Sequence, residues 1–402
     1  MEHKIDYKLN HIKEIPILSV RDTSKNYVYI EIRVNYGSLS ETIPEMAHLI
    51  EHWLILGTER YPSRKDTYDI IEEVGGKMNA YTSDMHTGYW VKVPAEHLKR
   101  AVEVLTQIFF HPLIKEEEED YAKHPINVEL NGRMKDKFYQ LSALRTRSIF
   151  EKTNPGYRLL IEERLESVKN ITREQVYNTY NEVYVKPNIS IGIGGNFEEK
   201  ELDELLNEYV GDRDGKKINI DLKIEFKEEI MIQDLKNELI SIAFKLSEET
   251  PEGEILNYII GGRNSARLPT LIRNEKNLSY STGSAFIDYW GENLLVTYSD
   301  CNIGDHRLVE SLILKVCNEV INGDLTEEEF IIAKQSKIGN IKLKDNINGM
   351  VQNLLGYYRI KNKVYTLDDE IEEINKVTFA QFKEYLTKLD FSKFAVARIL
   401  EK

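Results

Sequence analysis

A polar segment at residues 211–217 divides the 402-residue chain almost in half. Its sequence, Gly-Asp-Arg-Asp-Gly-Lys-Lys, contains no apolar residue and is typical of a linker. A chain of this length is also too long for one compact core, so at least two domains are expected. We therefore predict an N-terminal domain at 1–210, a linker at 211–218 and a C-terminal domain at 219–402.

Each half of the chain ends with the same kind of unit, which indicates an internal repeat. Residues 171–175 precede a predicted helix and then a strand at 189–193, and residues 377–381 precede a predicted helix and then a strand at 394–398. Mixed helices and hairpin-like strand pairs favour an α+β fold in which one layered domain is used twice. Apolar periodicity further predicts strands at 26–36 and 89–93, and helices at 44–56, 64–74 and 95–110.

Composition and charge argue against several classes of protein. The net charge of −14 disfavours a nucleic-acid binder and contact with an anionic membrane face. No apolar run is long enough to span a bilayer, so no membrane insertion is expected. Cys301 and Cys317 are the two cysteines, too few for a disulfide framework or a thiolate zinc site. Because the first residues do not resemble a secretory signal, the chain is expected to be a soluble cytoplasmic protein.

The pentad His48-Leu49-Ile50-Glu51-His52 carries the clearest chemical signal. Two histidines four residues apart on a helix face the same side, so both imidazoles can reach one metal ion. Glu51 lies next to the second histidine, where it can accept a proton from water without binding the metal. This order is the H-x-x-E-H signature of inverted zincins. A catalytic zinc ion also needs a third ligand, and spacing alone does not choose between the glutamates at 116–119 and Glu129.

Other short motifs suggest no second chemistry. The segment 192–196, Gly-Ile-Gly-Gly-Asn, lacks the spacing of a nucleotide-binding loop and is predicted to be the end of a strand. The acidic run at 116–120 is most simply the solvated start of a helix, where carboxylates favour the positive end of the dipole.

The pentad and its surroundings resemble the pitrilysin and mitochondrial processing peptidase family. The matching pieces are Gly37-Ser38 with Glu41, the run 47–52, Gly57-Thr58, the run 75–82 and Pro112. In the second half, Arg273 and Tyr280 reproduce an Arg–Tyr spacing of this family. The resemblance thus covers nearly the whole chain, including the repeated plan.

This resemblance implies two homologous α/β-sandwich domains of the LuxS/processing-peptidase type, which form half of a clamshell chamber. It also implies that zinc is held by His48, His52 and Glu129, with Glu51 as the general base. Asn79 and Ala80 are expected on an edge strand that pairs with the substrate backbone. Arg273 and Tyr280 are expected to hold the substrate carbonyl and backbone. The substrates would be short or unfolded peptides, such as a precursor or a bacteriocin-type peptide.

Three positions depart from the family pattern. Ala122 stands where a second glutamate usually supports catalysis, Pro125 interrupts the same predicted helix, and Glu45 replaces a common glycine. A chain of this size corresponds to half a chamber, so a homodimer or a heterodimer with a related subunit is expected. A zinc endopeptidase and a non-catalytic or partner-dependent subunit are therefore both compatible with the sequence.

Overall fold

The computed structural model describes residues 5–154, 157–246, 250–344 and 346–402. The chain forms two compact units, each assembled from three segments. Unit 1 contains Met1–Asn131, Glu162–Ile220 and Lys344–Leu367, and unit 2 contains Gly132–Ile161, Asp221–Leu343 and Asp368–Lys402. The domains expected from the sequence, 1–210 and 219–402, are contiguous, whereas each compact unit takes one segment from the opposite half of the chain.

Unit 1 is built on a six-stranded sheet in the order β1-β2-β6-β3-β5-β4. Its strands are β1 (Asp6–Ile12), β2 (Ile15–Arg21), β3 (Tyr27–Val34), β4 (Lys77–Thr82), β5 (Thr87–Pro94) and β6 (Ile189–Gly195). Along β3, Val28, Ile30 and Ile32 alternate on one face and are at most 1% exposed, as expected for a strand that packs against helices. This face therefore forms much of the core of unit 1.

The first half of the chain encodes eight α-helices in its described part. They are α1 (Met46–Leu54), α2 (Arg64–Glu72), α3 (Leu98–Phe110), α4 (Glu119–Arg133), α5 (Lys137–Ile149), α6 (Ile161–Asn170), α7 (Arg173–Val183) and α8 (Glu199–Tyr209). Three of them, α1, α2 and α3, correspond to the helices predicted at 44–56, 64–74 and 95–110. Helices α1 and α3 lie against the sheet of unit 1. Gly75, with a φ of +71°, lies beyond the end of α2, where the left-handed backbone favours glycine.

Unit 2 is built on a five-stranded sheet in the order β7-β11-β8-β10-β9. Its strands are β7 (Glu228–Gln233), β8 (Glu238–Lys245), β9 (Thr282–Tyr289), β10 (Glu292–Cys301) and β11 (Phe394–Glu401). The helices of the second half are α9 (Pro251–Ile260), a π-helix (Pro269–Glu275), α10 (His306–Ile321), α11 (Glu327–Lys342), α12 (Ile347–Lys361), α13 (Leu367–Lys376) and α14 (Phe379–Leu386). No helix in the described part of the chain combines the length and hydropathy that crossing a membrane requires.

Five strands of the unit 1 sheet, all except β1, have the same topology as the five strands of unit 2. In unit 1, β2 pairs in parallel with β6, and β6, β3, β5 and β4 follow in antiparallel pairs. In unit 2, β7 pairs in parallel with β11, and β11, β8, β10 and β9 follow in antiparallel pairs. The repeated final unit recurs too, since Thr172 and Thr378 each form a capping box that begins the helix before β6 or β11. The expected α+β fold used twice is therefore confirmed.

The two halves of the chain exchange one helix each. Helix α12, from the second half, packs on β6, β2 and β3 of unit 1. Helix α5, from the first half, packs on β11, β8 and β7 of unit 2. These are equivalent strands in the shared topology, so the exchange is reciprocal.

Glycines in β6 allow α12 to approach the sheet closely. A Cβ atom on Gly192 would lie 2.5 Å from Val351 Cγ1 and 2.8 Å from Leu355 Cδ1 of α12. The glycine-rich segment is therefore part of a strand, as the sequence predicts, and its glycines serve helix packing.

Candidate active site

Helix α1 carries the pentad and begins at a turn that contains Glu41 and the buried Glu45. The Glu41 carboxylate accepts hydrogen bonds from the backbone N–H of Glu45 at 2.8 Å and of Ala47 at 3.0 Å. These two donors have no acceptor inside the helix, so Glu41 caps α1 from outside it. Burial raises the pKa of Glu41, and the nearby charge of Glu45 acts in the same direction.

His48, His52 and Glu129 converge within unit 1. His48 Nε2 lies 3.2 Å from His52 Nε2 and 3.4 Å from Glu129 Oε2, and His52 Nε2 lies 3.5 Å from Glu129 Oε1. The histidines lie one turn apart on α1, and Glu129 projects from α4. Among the described residues, these three alone form a group of histidine, cysteine or acidic side chains that could hold a metal ion.

The spacing of these three ligand atoms fits zinc. Zinc binds imidazole nitrogen and carboxylate oxygen at about 2.0–2.2 Å, so the ligand atoms of a tetrahedral site lie about 3.3–3.6 Å apart. The three observed separations, 3.2, 3.4 and 3.5 Å, are close to these values. Two histidines and one glutamate are also a donor set of catalytic zinc, which leaves a fourth position open.

The other ring nitrogen of His48 binds a buried carboxylate. His48 Nδ1 lies 2.9 Å from Glu45 Oε2, and Arg164 Nε of α6 donates to Glu45 Oε1. Burial opposes a positive charge on His48, but hydrogen bonds to Glu129 and Glu45 outweigh it and raise the pKa of His48 to about 9. Burial also opposes the charge of Glu45, but His48 and Arg164 hold its pKa below the usual range.

Glu51 lies on α1 and is 7% exposed. Its Oε2 accepts a hydrogen bond of 2.6 Å from Thr82 Oγ1 at the end of β4. This hydrogen bond restrains the carboxylate that we expect to act as the general base. Strand β4 is the last strand of the sheet, with Asn79 exposed and Ala80 buried. The segment that we expect to bind substrate backbone thus lies at a sheet edge and is joined to Glu51 through Thr82.

Helix α4 presents Glu129 despite its proline. Pro125 lies inside α4, which continues from Glu119 to Arg133. Ala122, at the position of the second family glutamate, is 1% exposed and supplies no carboxylate. Glu118 lies in a 3-10 turn before α4 and pairs with Lys115 at 3.4 Å. Of the glutamates that spacing left open as the third ligand, Glu129 is therefore the one beside both histidines.

Arg273 and Tyr280 lie together in unit 2. The Arg273 guanidinium carbon lies 4.8 Å from the centre of the Tyr280 ring, and the Tyr280 side chain is 75% exposed. Asp300 Oδ1 accepts hydrogen bonds from Ser279 Oγ at 2.5 Å, Tyr280 N at 2.9 Å and Ser281 N at 2.8 Å. Asp300 therefore fixes the loop that presents Tyr280.

Sequence reasoning alone assigned no role to five of these residues. Glu45 was noted as a departure from a common glycine, and Glu41 as a matching residue without a role. Thr82 ended a matching run without a role, and Arg164 and Asp300 gave no signal, because each of the three acts on a residue far away in the sequence. The position of Glu45 beside the pentad was the one available indication.

Comparisons with known proteins agree with the motif and with the repeated plan. A family model described as insulinase (peptidase family M16) matches residues 16–159, and one described as peptidase M16 inactive domain matches residues 170–337. An uncharacterized zinc protease of Bacillus subtilis, YmxG, is 26% identical over 397 residues, which covers 92% of each chain. Mitochondrial-processing peptidase subunit beta of Dictyostelium discoideum is 28% identical over 200 residues, 48% of this chain and 41% of that protein.

A solved structure shows the same fold over the whole length. The crystal structure of a protease from Helicobacter pylori matches with a TM-score of 0.88 at 16% identity, covering 98% of this chain and 99% of that chain. Family models cover most of both halves, a full-length relative is a zinc protease, and the H-x-x-E-H motif lies on α1. This chain therefore belongs to the M16 peptidase family, which is also called the insulinase or pitrilysin family.

Proposed function

We propose that this chain is a zinc-dependent endopeptidase that hydrolyses short or unfolded peptides. One observation carries the proposal: His48, His52 and Glu129 bring three ligand atoms to the mutual spacing of a zinc site. A relative described as a zinc protease supports the same chemistry. A precursor or a bacteriocin-type peptide is a substrate of the proposed class, and the cytoplasm is the proposed location.

The protein's own residues divide the work of hydrolysis. His48, His52 and Glu129 would hold zinc, which supplies Lewis acidity to the scissile carbonyl and to the attacking water. Glu51 takes the proton from that water and delivers it to the leaving amine. The hydrogen bond from Thr82 holds the carboxylate of Glu51 in place for both transfers.

Substrate binding is assigned to two regions. The backbone of an extended peptide would pair with β4 at Asn79 and Ala80, because this strand lies at the sheet edge. Arg273 and Tyr280 would hold the substrate carbonyl and backbone. In a dimer, these two residues would act on a peptide held at the zinc site of the other chain. A homodimer and a heterodimer with a related subunit both provide this arrangement.

Chelator-sensitive cleavage tests the proposal. The purified full chain is incubated with an unstructured peptide, with and without a zinc chelator, and the products are identified by mass spectrometry. We expect cleavage that stops with the chelator and returns when zinc is added. The matched control is Glu51→Gln, which should keep stoichiometric zinc and lose turnover by several orders of magnitude. Full activity of this variant would refute the assigned chemistry.

A second function, as a non-catalytic or partner-dependent subunit, is favoured by one observation. Ala122 is 1% exposed and occupies the position of a supporting glutamate, so the site of this chain lacks that carboxylate. The same assay is repeated with any related chain that is encoded nearby. Cleavage that needs both chains, with zinc bound by this one, would support the function of a partner-dependent subunit. Cleavage by this chain alone would exclude that second function.

A further inference from the structure

Glu45 adopts a backbone conformation that disfavours its own side chain. It precedes α1 with a φ of +71° and a ψ of 5°, in the left-handed region. A residue with a Cβ atom is destabilised there, and glycine is not. Glu45 is also 3% exposed, so its carboxylate is removed from water. Both features cost stability, which a glycine at this position would avoid.

The Glu45 carboxylate uses both of its oxygens for buried partners. Oε2 lies 2.9 Å from Nδ1 of His48, and Oε1 accepts from Nε of Arg164. An Nδ1–H that donates to a carboxylate fixes the neutral histidine in the tautomer whose Nε2 carries a lone pair. Nε2 of His48 is the atom that lies beside His52 and Glu129. The hydrogen bond to Glu45 therefore orients the ring for metal binding.

The turn that carries Glu45 is fixed from two further sides. The Arg164 side chain is 8% exposed and forms a buried ion pair with Glu45. Ser167, one turn later on α6, donates through Oγ to the carbonyl of Pro44 at 2.8 Å. Glu41 accepts the backbone N–H of Glu45 itself. Arg164 of helix α6 thus holds the Glu45 carboxylate, while Ser167 and Glu41 hold the backbone of the turn.

We propose that Glu45, held by Arg164, is a positioning residue that orients His48 for zinc. The proposal rests on the proposed zinc function of this site. A carboxylate behind a histidine ligand fixes the ring and raises its basicity, and its loss typically weakens metal binding about 10–100-fold. A buried glutamate with a positive φ lowers the stability of the protein, but its carboxylate makes His48 a stronger zinc ligand.

Zinc affinity and the stability of the zinc-free protein separate this role from a purely structural one. The variants are Glu45→Gly, which also removes the backbone strain, and Glu45→Gln, which keeps the shape. The matched control is Glu14→Gly. Glu14 has the same residue type as Glu45 and a similarly positive φ of +67°, but its side chain is 81% exposed. Zinc dissociation constants are measured by competition with a chromogenic chelator, and thermal unfolding is followed without zinc.

We expect Glu45→Gly to bind zinc about 10–100-fold more weakly, Glu45→Gln to lie between it and the wild type, and Glu14→Gly to match the wild type. If Glu45→Gly does not fold, Arg164→Lys replaces it and should weaken zinc binding at unchanged secondary structure. Wild-type zinc affinity in the folded Glu45 variants would overturn the positioning role and leave the proposed function intact. Zinc affinity that depends on Glu45 in a chain that cleaves no peptide would support the role and count against the peptidase.

Discussion

Raising the pH should destabilise the zinc-free protein and strengthen its binding of zinc, because His48 carries either a proton or the metal. Its pKa is about 9 in the folded protein, compared with 6.5 for an ordinary histidine. A folded-state pKa above the unfolded value means that the folded protein binds the extra proton. The resulting stability is fully present below pH 6.5 and is lost as the pH rises through about 9.

The size of this effect follows from the shift. One pKa unit corresponds to about 1.4 kcal/mol, so the zinc-free protein should lose about 3 kcal/mol across this window. For a unit of roughly 200 residues, the melting temperature should fall by about 6–12 °C. Zinc displaces the same proton, so its affinity should rise about tenfold per pH unit until the pH reaches the pKa of His48.

The assay compares melting curves of zinc-free and zinc-saturated protein across this pH range, together with zinc dissociation constants at each pH. Burial also raises the pKa of Glu41, so the stability that its proton contributes is lost as the pH rises, but this happens in both forms. The difference between the two curves therefore isolates the proton that zinc displaces. A zinc affinity independent of pH across the window would refute the reasoning, as would a zinc-free protein that becomes more stable at higher pH.

Three further changes test separate parts of the structure. Glu129→Ala should abolish stoichiometric zinc in metal analysis while the circular dichroism spectrum stays unchanged; retained zinc would exclude Glu129 as a ligand. Gly192→Val should lower the free energy of unfolding by about 1–3 kcal/mol in denaturant titration, because its side chain would clash with α12, and no loss would contradict that close packing. Asp300→Ala should raise KM for peptide several-fold with little change in zinc content, because it removes the hydrogen bonds that hold the loop of Tyr280. An unchanged KM would show that this loop does not contribute to substrate binding.

Much of the fold was predictable because its elements obey local rules. The strand at 26–36 and the helix at 44–56 correspond to β3 and α1, and the segments 171–175 and 377–381 begin helices through capping boxes. The exchange of α5 and α12 was not predictable in this way. An apolar stripe shows that a helix packs on something, but it does not specify which sheet the helix covers.

The residues of the candidate site also differ in whether local sequence rules could identify them. His48, Glu51 and His52 were found from helical spacing, whereas Glu129 followed from family resemblance, since local spacing left the glutamates at 116–119 equally open. The role that we propose for Glu45 was missed, because its contact with His48 is local but the partner that holds its carboxylate is not. Its partner Arg164 is separated from it by 119 positions in the chain.

The helix exchange sets an order of completion during synthesis on the ribosome. The sheet of unit 1 is complete once β6 has been made, but α12, which covers it, is encoded at Ile347–Lys361 near the end of the chain. Gly192 and its neighbours therefore remain uncovered while the residues between β6 and α12 are translated. If the chain is divided at the polar segment 211–217, the N-terminal fragment lacks α12 and the C-terminal fragment lacks α5. The two fragments should therefore reach their native state when they are produced together, but not when each is produced alone.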